Sequence, residues 1–83
     1  MGTKEKLIAR FKSNPKDFTW DEFVRLFSIL GYEIENKGKT SGSRTIFFKG
    51  EISYTAHKPH PGNIVKTYVI KQALSFLIKN ESL

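Results

Sequence analysis

The sequence predicts a small α+β domain in which an antiparallel sheet is packed against helices. Three observations favour this class: a capped amphipathic helix early in the chain, three short β-rich runs, and a long amphipathic helix near the end. Short turns between consecutive strands favour a three-stranded meander with the helices on one face. The 83 residues provide for a single domain, 1–83, with one small core, and leave no room for a cofactor domain.

The sequence contains an end signal for the first helix and a start signal for the second. Apolar residues at helical spacing predict a helix at about 4–13, which ends at the Asn14-Pro15 pair. Thr19 and Glu22 form a capping box that begins a second helix, and Gly31 is suited to end it. The apolar stripe of this second helix is expected to lie in the core and consists of Trp20, Phe23 and Phe27.

Three strands are predicted next, at 32–35, 45–48 and 52–57. Side chains alternate between the two faces of a strand, so His57 shares a face with the polar residues of the third run. If the helices cover the opposite, apolar face, His57 lies on the open side of the sheet. Phe47 is a candidate partner contact if its two neighbours point inward, and the alternation in that run leaves both orientations open.

The last helix is predicted from about Thr67, as its N-cap, to Lys79. The resulting order is helix, helix, strand, strand, strand, helix. Without the first helix, this is the α-β-β-β-α order of the double-stranded-RNA-binding fold. We therefore expect a core at about 18–80, with 1–17 as an N-terminal helical extension.

The net charge of +6 is unevenly distributed along the chain. Residues 1–36 are balanced, whereas 37–80 carry eight basic side chains against the single acid Glu51. A one-sided basic half is typical of a protein that binds a polyanion, although a solubilising surface is the alternative. With no cysteine, no long apolar run and no signal-peptide pattern, we expect a cytoplasmic protein without membrane contact.

Both histidines fall inside the segment His57-Lys58-Pro59-His60-Pro61-Gly62. Histidine exchanges protons near neutral pH, and loops at the ends of elements often carry functional groups. Three interpretations stay open at this point: an acid–base site, a structural turn, and a basic lip that holds an anion. A zinc site is the weakest interpretation, because zinc requires three or four ligands. We expect no metal and no cofactor.

The segment 37–44 has the composition of a phosphate-binding loop. Its glycines permit close approach, its hydroxyl groups can donate hydrogen bonds, and its cations neutralise charge. An ordinary hairpin loop is the alternative. The residues predicted to contact RNA phosphates are Lys37, Lys39, Ser43, Arg44, Lys58 and Lys66.

These features together resemble the HicA toxins. The resemblance rests on Gly42-Ser43, the strand after it, and His60-Pro61-Gly62 leading through Lys66 into a terminal helix, and it covers about 18–79. It implies a double-stranded-RNA-binding-like fold and a small ribonuclease of a bacterial toxin–antitoxin pair. The implied substrate is mRNA and the implied partner is a HicB-like antitoxin.

One residue departs from the pattern of that family. The family's usual catalytic histidine directly follows the Gly-Ser pair, where this chain has Arg44. Arginine does not deprotonate at accessible pH and cannot act as a base, but it can hold a phosphate. Acid–base catalysis would therefore depend on His57 and His60. A non-catalytic RNA-binding module is the alternative, and a protein-interaction domain fits the basic half less well.

Overall fold

The computed structural model describes residues 2–36, 44–59 and 62–83. These ranges form an α+β domain with three helices and one three-stranded antiparallel sheet, which confirms the predicted class. In chain order the elements are α1 (Thr3–Lys12), α2 (Trp20–Ile29), β1 (Glu33–Asn36), β2 (Arg44–Lys49), β3 (Ile52–His57) and α3 (Thr67–Lys79). No helix in the described ranges is long and apolar enough to cross a membrane.

The sheet is a simple meander with β2 in the centre. Phe47 of β2 lies opposite Ile34 of β1 and Tyr54 of β3, so these three side chains share a face. The first strand begins one residue later than predicted. Tyr32 is buried instead, where its N–H donates to the Phe27 carbonyl and its hydroxyl is hydrogen-bonded to Ser82.

Aromatic rings fill the space between the helices and the sheet. The Phe27 ring of α2 stacks on Phe47, with centroids 4.4 Å apart, and on Tyr54 at 5.7 Å. Phe76 of α3 also contacts Tyr54, with ring centroids 4.9 Å apart. The helices thus cover the face that carries Tyr54 and Ala56, as expected. The condition for Phe47 to be a partner contact is not met, because Phe47 points inward and is fully buried.

The predicted capping box begins α2. The Glu22 N–H donates to Thr19 Oγ1 at 3.2 Å, and the Thr19 N–H donates to Glu22 Oε1 at 3.0 Å. Gly31 follows the helix with φ of 92°, a left-handed conformation that glycine adopts without strain. The last helix has the predicted bounds, Thr67–Lys79, but the predicted N-cap is wrong. Lys66, with extended backbone angles, is the N-cap, and Thr67 is the first helical residue.

The first helix packs into the same core as the rest of the described chain. Phe11 of α1 is fully buried and contacts the rings of Phe18 at 5.5 Å and Phe23 at 6.3 Å. Arg10 reaches across to α2, where its Nε donates to Glu22 Oε2 at 2.9 Å. The extension therefore supplies part of the hydrophobic core.

Candidate functional site

Arg44 and His57 form a directly opposed pair at one end of the sheet. Arg44 begins β2, His57 ends β3, and the antiparallel register places them across from each other. Both side chains are exposed and lie on the face that the helices leave open. Side chains in such a pair have Cβ atoms roughly 4.5–5.5 Å apart, so the guanidinium and the imidazole can approach one bound group. Arg44 and His57 are two of the residues predicted from sequence.

The rest of the open face differs in charge from this end. Continuing along β2, Ile46 lies between Glu35 and Thr55, and Phe48 lies between Glu33 and Ser53. Carboxylates thus line the β1 edge, while Arg44 and His57 hold the opposite corner. In the described part of the sheet, the cationic character expected from the sequence is confined to that corner and to Lys49.

Lys49, although part of the basic half, has a structural role. Its Nζ donates to the Leu30 carbonyl at 3.2 Å, close to the end of α2, and lies 5.8 Å from the centroid of the Tyr32 ring. A cation close to the carbonyl end of a helix interacts favourably with the helix dipole. This cation of the basic half therefore contributes to the packing of the fold.

A cleft of about 230 Å³ lies between the end of β3 and the first turn of α3. Three residues predicted from sequence line it: His57, Lys58 and Lys66. The other lining residues within the described ranges are Pro59, Ile64, Val65, Tyr68 and Val69. His57 is therefore shared between the cleft and the opposed pair with Arg44.

Backbone hydrogen bonds fix the far wall of the cleft to the core. The buried Val65 donates its N–H to the Phe18 carbonyl at 2.7 Å, and the Trp20 N–H donates to the Asn63 carbonyl at 2.8 Å. Thr19 and Ile64 form an isolated bridge between the same two segments. These bonds to the start of α2 thus position Lys66 and the start of α3.

The end of α3 that borders the cleft suits an anion. Its N-cap, Lys66, makes no side-chain capping bond, and the first turn contains no acidic residue. The N-terminus of a helix carries partial positive charge and unpaired N–H groups. Lys58 and Lys66 add full charges at the same place, so the cleft combines an imidazole with a cationic pocket.

Four predicted site residues, Lys37, Lys39, Ser43 and His60, lie outside the described residues. Their predicted roles stay predictions. Within the described ranges, no group of three His, Cys, Asp or Glu side chains comes together as a set of metal ligands.

Sequence reasoning missed Tyr68 and Ile64, which are exposed and line the cleft. The signal for Tyr68 was present, because it lies off the apolar stripe of its helix, which consists of Ile70, Ala73 and Leu77. A large aromatic residue outside such a stripe and next to a cationic loop is a candidate binding residue. Ile64 carried no comparable signal, since single exposed apolar residues are common.

Fold and site together define a small α+β domain with an exposed cleft that combines a histidine with two lysines. A family model described as the HicA toxin of bacterial toxin–antitoxin matches residues 20–77, which is most of the chain. The chain belongs to the HicA toxin family and is thus a toxin of a toxin–antitoxin system, for which the family implies an antitoxin partner. No curated protein and no solved structure matches it. The helix α1 precedes the matched residues.

Proposed function

We propose that this toxin binds mRNA in the cytoplasm, cleaves it without a metal ion, and is neutralised by a cognate HicB-like antitoxin. The observation that carries the proposal is the meeting of His57, Lys58 and Lys66 in one cleft. This set combines a side chain that exchanges protons near neutral pH with two cations for a phosphate. The chain provides these groups from its own side chains.

The proposed reaction is attack by a ribose 2′-hydroxyl on the adjacent phosphorus. A base takes the proton of the 2′-hydroxyl, the 2′-oxygen bonds to phosphorus, and the bond from phosphorus to the 5′-oxygen breaks. An acid gives a proton to that leaving oxygen, so the products are a 2′,3′-cyclic phosphate and a 5′-hydroxyl. His57 and His60 divide the roles of base and acid, a type of catalysis typically worth ~10²–10⁴-fold.

The cations of the site have a separate role in this scheme. Negative charge builds up on the phosphate oxygens as the phosphorane forms, and fixed positive charges stabilise it. Lys58 and Lys66 lie in the cleft, while Arg44 is the cross-strand neighbour of His57. The guanidinium of Arg44 is suited to hold two phosphate oxygens at once. Lys37, Lys39 and Ser43 are proposed to extend the phosphate contacts along the strand.

The antitoxin is proposed to cover the corner of the sheet that carries Arg44 and His57, together with the cleft. Blocking this corner removes both the imidazole and the phosphate-binding cations from solvent. An acidic antitoxin surface would complement the cations electrostatically, which favours fast association.

A second candidate function is a non-catalytic RNA-binding module with the same fold. Arg44 favours it, because the exposed position that usually carries the family's catalytic histidine here holds a side chain that cannot act as a base. Such a module would retain the phosphate-binding cleft and lack strand cleavage. The two candidates differ in one observable, the integrity of the bound RNA.

Expression of the toxin alone in a bacterium tests the proposal. Growth and mRNA integrity are followed for the wild type and for His57→Ala and His60→Ala, with equal protein levels verified by immunoblot. We expect wild type to arrest growth and fragment mRNA, and each variant to relieve both effects. Harmless wild-type protein at good expression, together with intact RNA after incubation with purified protein, would leave only the binding module.

A further inference from the structure

Two of the large apolar side chains exposed in the described ranges lie in the cleft. Tyr68 is 59% exposed and Ile64 is 44% exposed. They share the cleft with the two lysines, so apolar surface and cationic groups face the same space. Exposed aromatic surface beside paired cations is the chemistry that accommodates a base together with its phosphate.

The exposure of Tyr68 has no structural explanation within the described ranges. Its ring contacts no other aromatic ring there, and its hydroxyl has no hydrogen-bond partner there. The other tyrosines of the described ranges, Tyr32 and Tyr54, both pack against phenylalanines. A tyrosine ring offers a large apolar face and a polar hydroxyl, so an open ring beside a cationic cleft is available to a ligand.

Duplex and single-stranded nucleic acids differ in what they can present to an aromatic ring, and this difference indicates which of them the cleft suits. In a duplex, the faces of the bases are covered by their neighbours in the stack. An unpaired nucleotide presents a free face that can stack on tyrosine, while its phosphate reaches the lysines. Ile64, on the same cleft, offers a second apolar contact to such a base.

We propose that Tyr68 is the base-stacking residue of the cleft, and that the cleft therefore takes unpaired nucleotides of single-stranded RNA in preference to duplex RNA. The inference rests on the proposed function, namely that RNA is the ligand of this cleft. It goes further by naming the conformation of RNA that is bound and the residue that selects it.

The test compares single-stranded and duplex forms of one oligonucleotide sequence by fluorescence anisotropy. The strands are 2′-O-methyl RNA, which lacks the attacking hydroxyl and so remains intact during the measurement. The variants are Tyr68→Ala, Tyr68→Phe and Tyr68→Leu, of which Phe keeps the ring and Leu keeps apolar bulk without a ring. Lys58→Ala and Lys66→Ala report the phosphate contacts, and thermal unfolding of each variant verifies folding.

For Tyr68→Ala, we expect the affinity for single-stranded RNA to fall by about 5- to 150-fold, the range for loss of one aromatic–base stack. Tyr68→Phe should bind single-stranded RNA like wild type, and Tyr68→Leu should show most of the loss seen for Tyr68→Ala. The affinity of each Tyr68 variant for duplex RNA should change little. Two results would overturn the inference: equal losses of affinity for single-stranded and duplex RNA, or unchanged binding by both Tyr68→Ala and Tyr68→Leu. If the lysine variants still weaken binding in that case, the proposed function stands and only the inference fails. If wild type binds neither RNA, the proposed function fails and the inference fails with it.

Discussion

Arg44 and His57 occupy directly opposed positions on the two paired strands β2 and β3, with both side chains on the open face of the sheet. The resemblance to the family places the usual catalytic histidine at the position of Arg44. His57 is therefore the direct cross-strand neighbour of that position, and the Cβ atoms of such a pair lie roughly 4.5–5.5 Å apart. If RNA binds as proposed, a phosphate held by Arg44 lies within reach of the His57 imidazole.

Arg44→His tests this relationship through a double-mutant cycle with His57→Ala. A histidine at position 44 offers a second imidazole to the same phosphate, so His57 becomes less essential. We expect His57→Ala to lower the RNA cleavage rate by ~10²–10⁴-fold in the wild-type background and by clearly less in the Arg44→His background. The measurement is the single-turnover rate on one RNA.

Arg44→Gln is the control for that cycle, because it removes the guanidinium without adding an imidazole. It should reduce RNA binding while leaving the loss caused by His57→Ala unchanged. Equal losses from His57→Ala in the wild-type and Arg44→His backgrounds would show that the two positions do not serve the same phosphate.

Lys58 and Lys66 should each contribute one phosphate contact to RNA binding. Replacing either with Ala is expected to weaken binding to all single-stranded sequences alike, since phosphate contacts do not read bases. The slope of log affinity against log salt should become shallower by about 0.7 for each lysine removed. Titrations of a fluorescent RNA at several salt concentrations give both quantities.

Lys79→Ala is the matched control for those lysines. Lys79 is exposed and ends the same helix, about 20 Å along the axis from Lys66. Its removal should leave the salt slope nearly unchanged. A slope that falls equally for Lys79 and Lys66 would indicate diffuse attraction to the whole basic half and no defined cleft.

Phe11 should be essential to stability although α1 precedes the residues matched by the family model. The side chain is fully buried between Phe18 and Phe23. Phe11→Ala is expected to lower the free energy of unfolding by about 3–5 kcal/mol, because it removes apolar contacts and leaves a cavity. Urea denaturation measures the change.

The exposed neighbour Lys12 provides the comparison, since Lys12→Ala should stay within roughly 0.5 kcal/mol of wild type. Similar urea midpoints for Phe11→Ala and Lys12→Ala would mean that α1 is dispensable for the core.

The ion pair between Arg10 and Glu22 should make part of the stability depend on pH. The hydrogen bond from the Arg10 guanidinium, aided by the bond from Thr19, holds the pKa of Glu22 below its ordinary value of 4.5. A carboxyl group with a lowered folded-state pKa stabilises the fold above its unfolded-state pKa, and this contribution is lost as pH falls through the folded-state pKa. Wild type should therefore lose this contribution only in acid, below about pH 4.5.

Arg10→Gln isolates this effect. The variant should melt at a lower temperature than wild type near pH 7, and the difference should shrink as the pH is lowered past the pKa of Glu22. Arg25→Gln, which removes an exposed arginine from α2, should leave the melting temperature close to that of wild type at both pH values. A constant difference between wild type and Arg10→Gln from pH 7 to pH 3 would contradict the proposed linkage.

Much of the fold was predictable because the local sequence signals and the packing of the core favour the same structure. The Thr19–Glu22 box, the Asn14-Pro15 break and the alternation in β3 each specify one local structure, and packing did not override them. The run around Phe47 was ambiguous because residues 46–48 are all apolar, and alternation cannot then identify the inward side chain. Only the register with Tyr54 resolves this orientation.

The candidate site was less predictable for a related reason. His57, Lys58 and Lys66 were chosen by residue type and by their position near the loop, and the cleft brings these three together. Tyr68 and Ile64 join them because of the tertiary contact between the segment 63–65 and the start of α2. No local pattern in the sequence indicates that contact.

The most direct test of the central claim is the cleavage of a defined single-stranded RNA by purified protein in the presence of a metal chelator. Wild type and His57→Ala are compared at RNA concentrations that saturate both proteins, so that differences in binding do not affect the rate. The account predicts that wild type yields fragments with 2′,3′-cyclic phosphate ends, and that His57→Ala is slower by ~10²–10⁴-fold. Intact RNA with wild type, or equal rates for wild type and His57→Ala, would contradict the account.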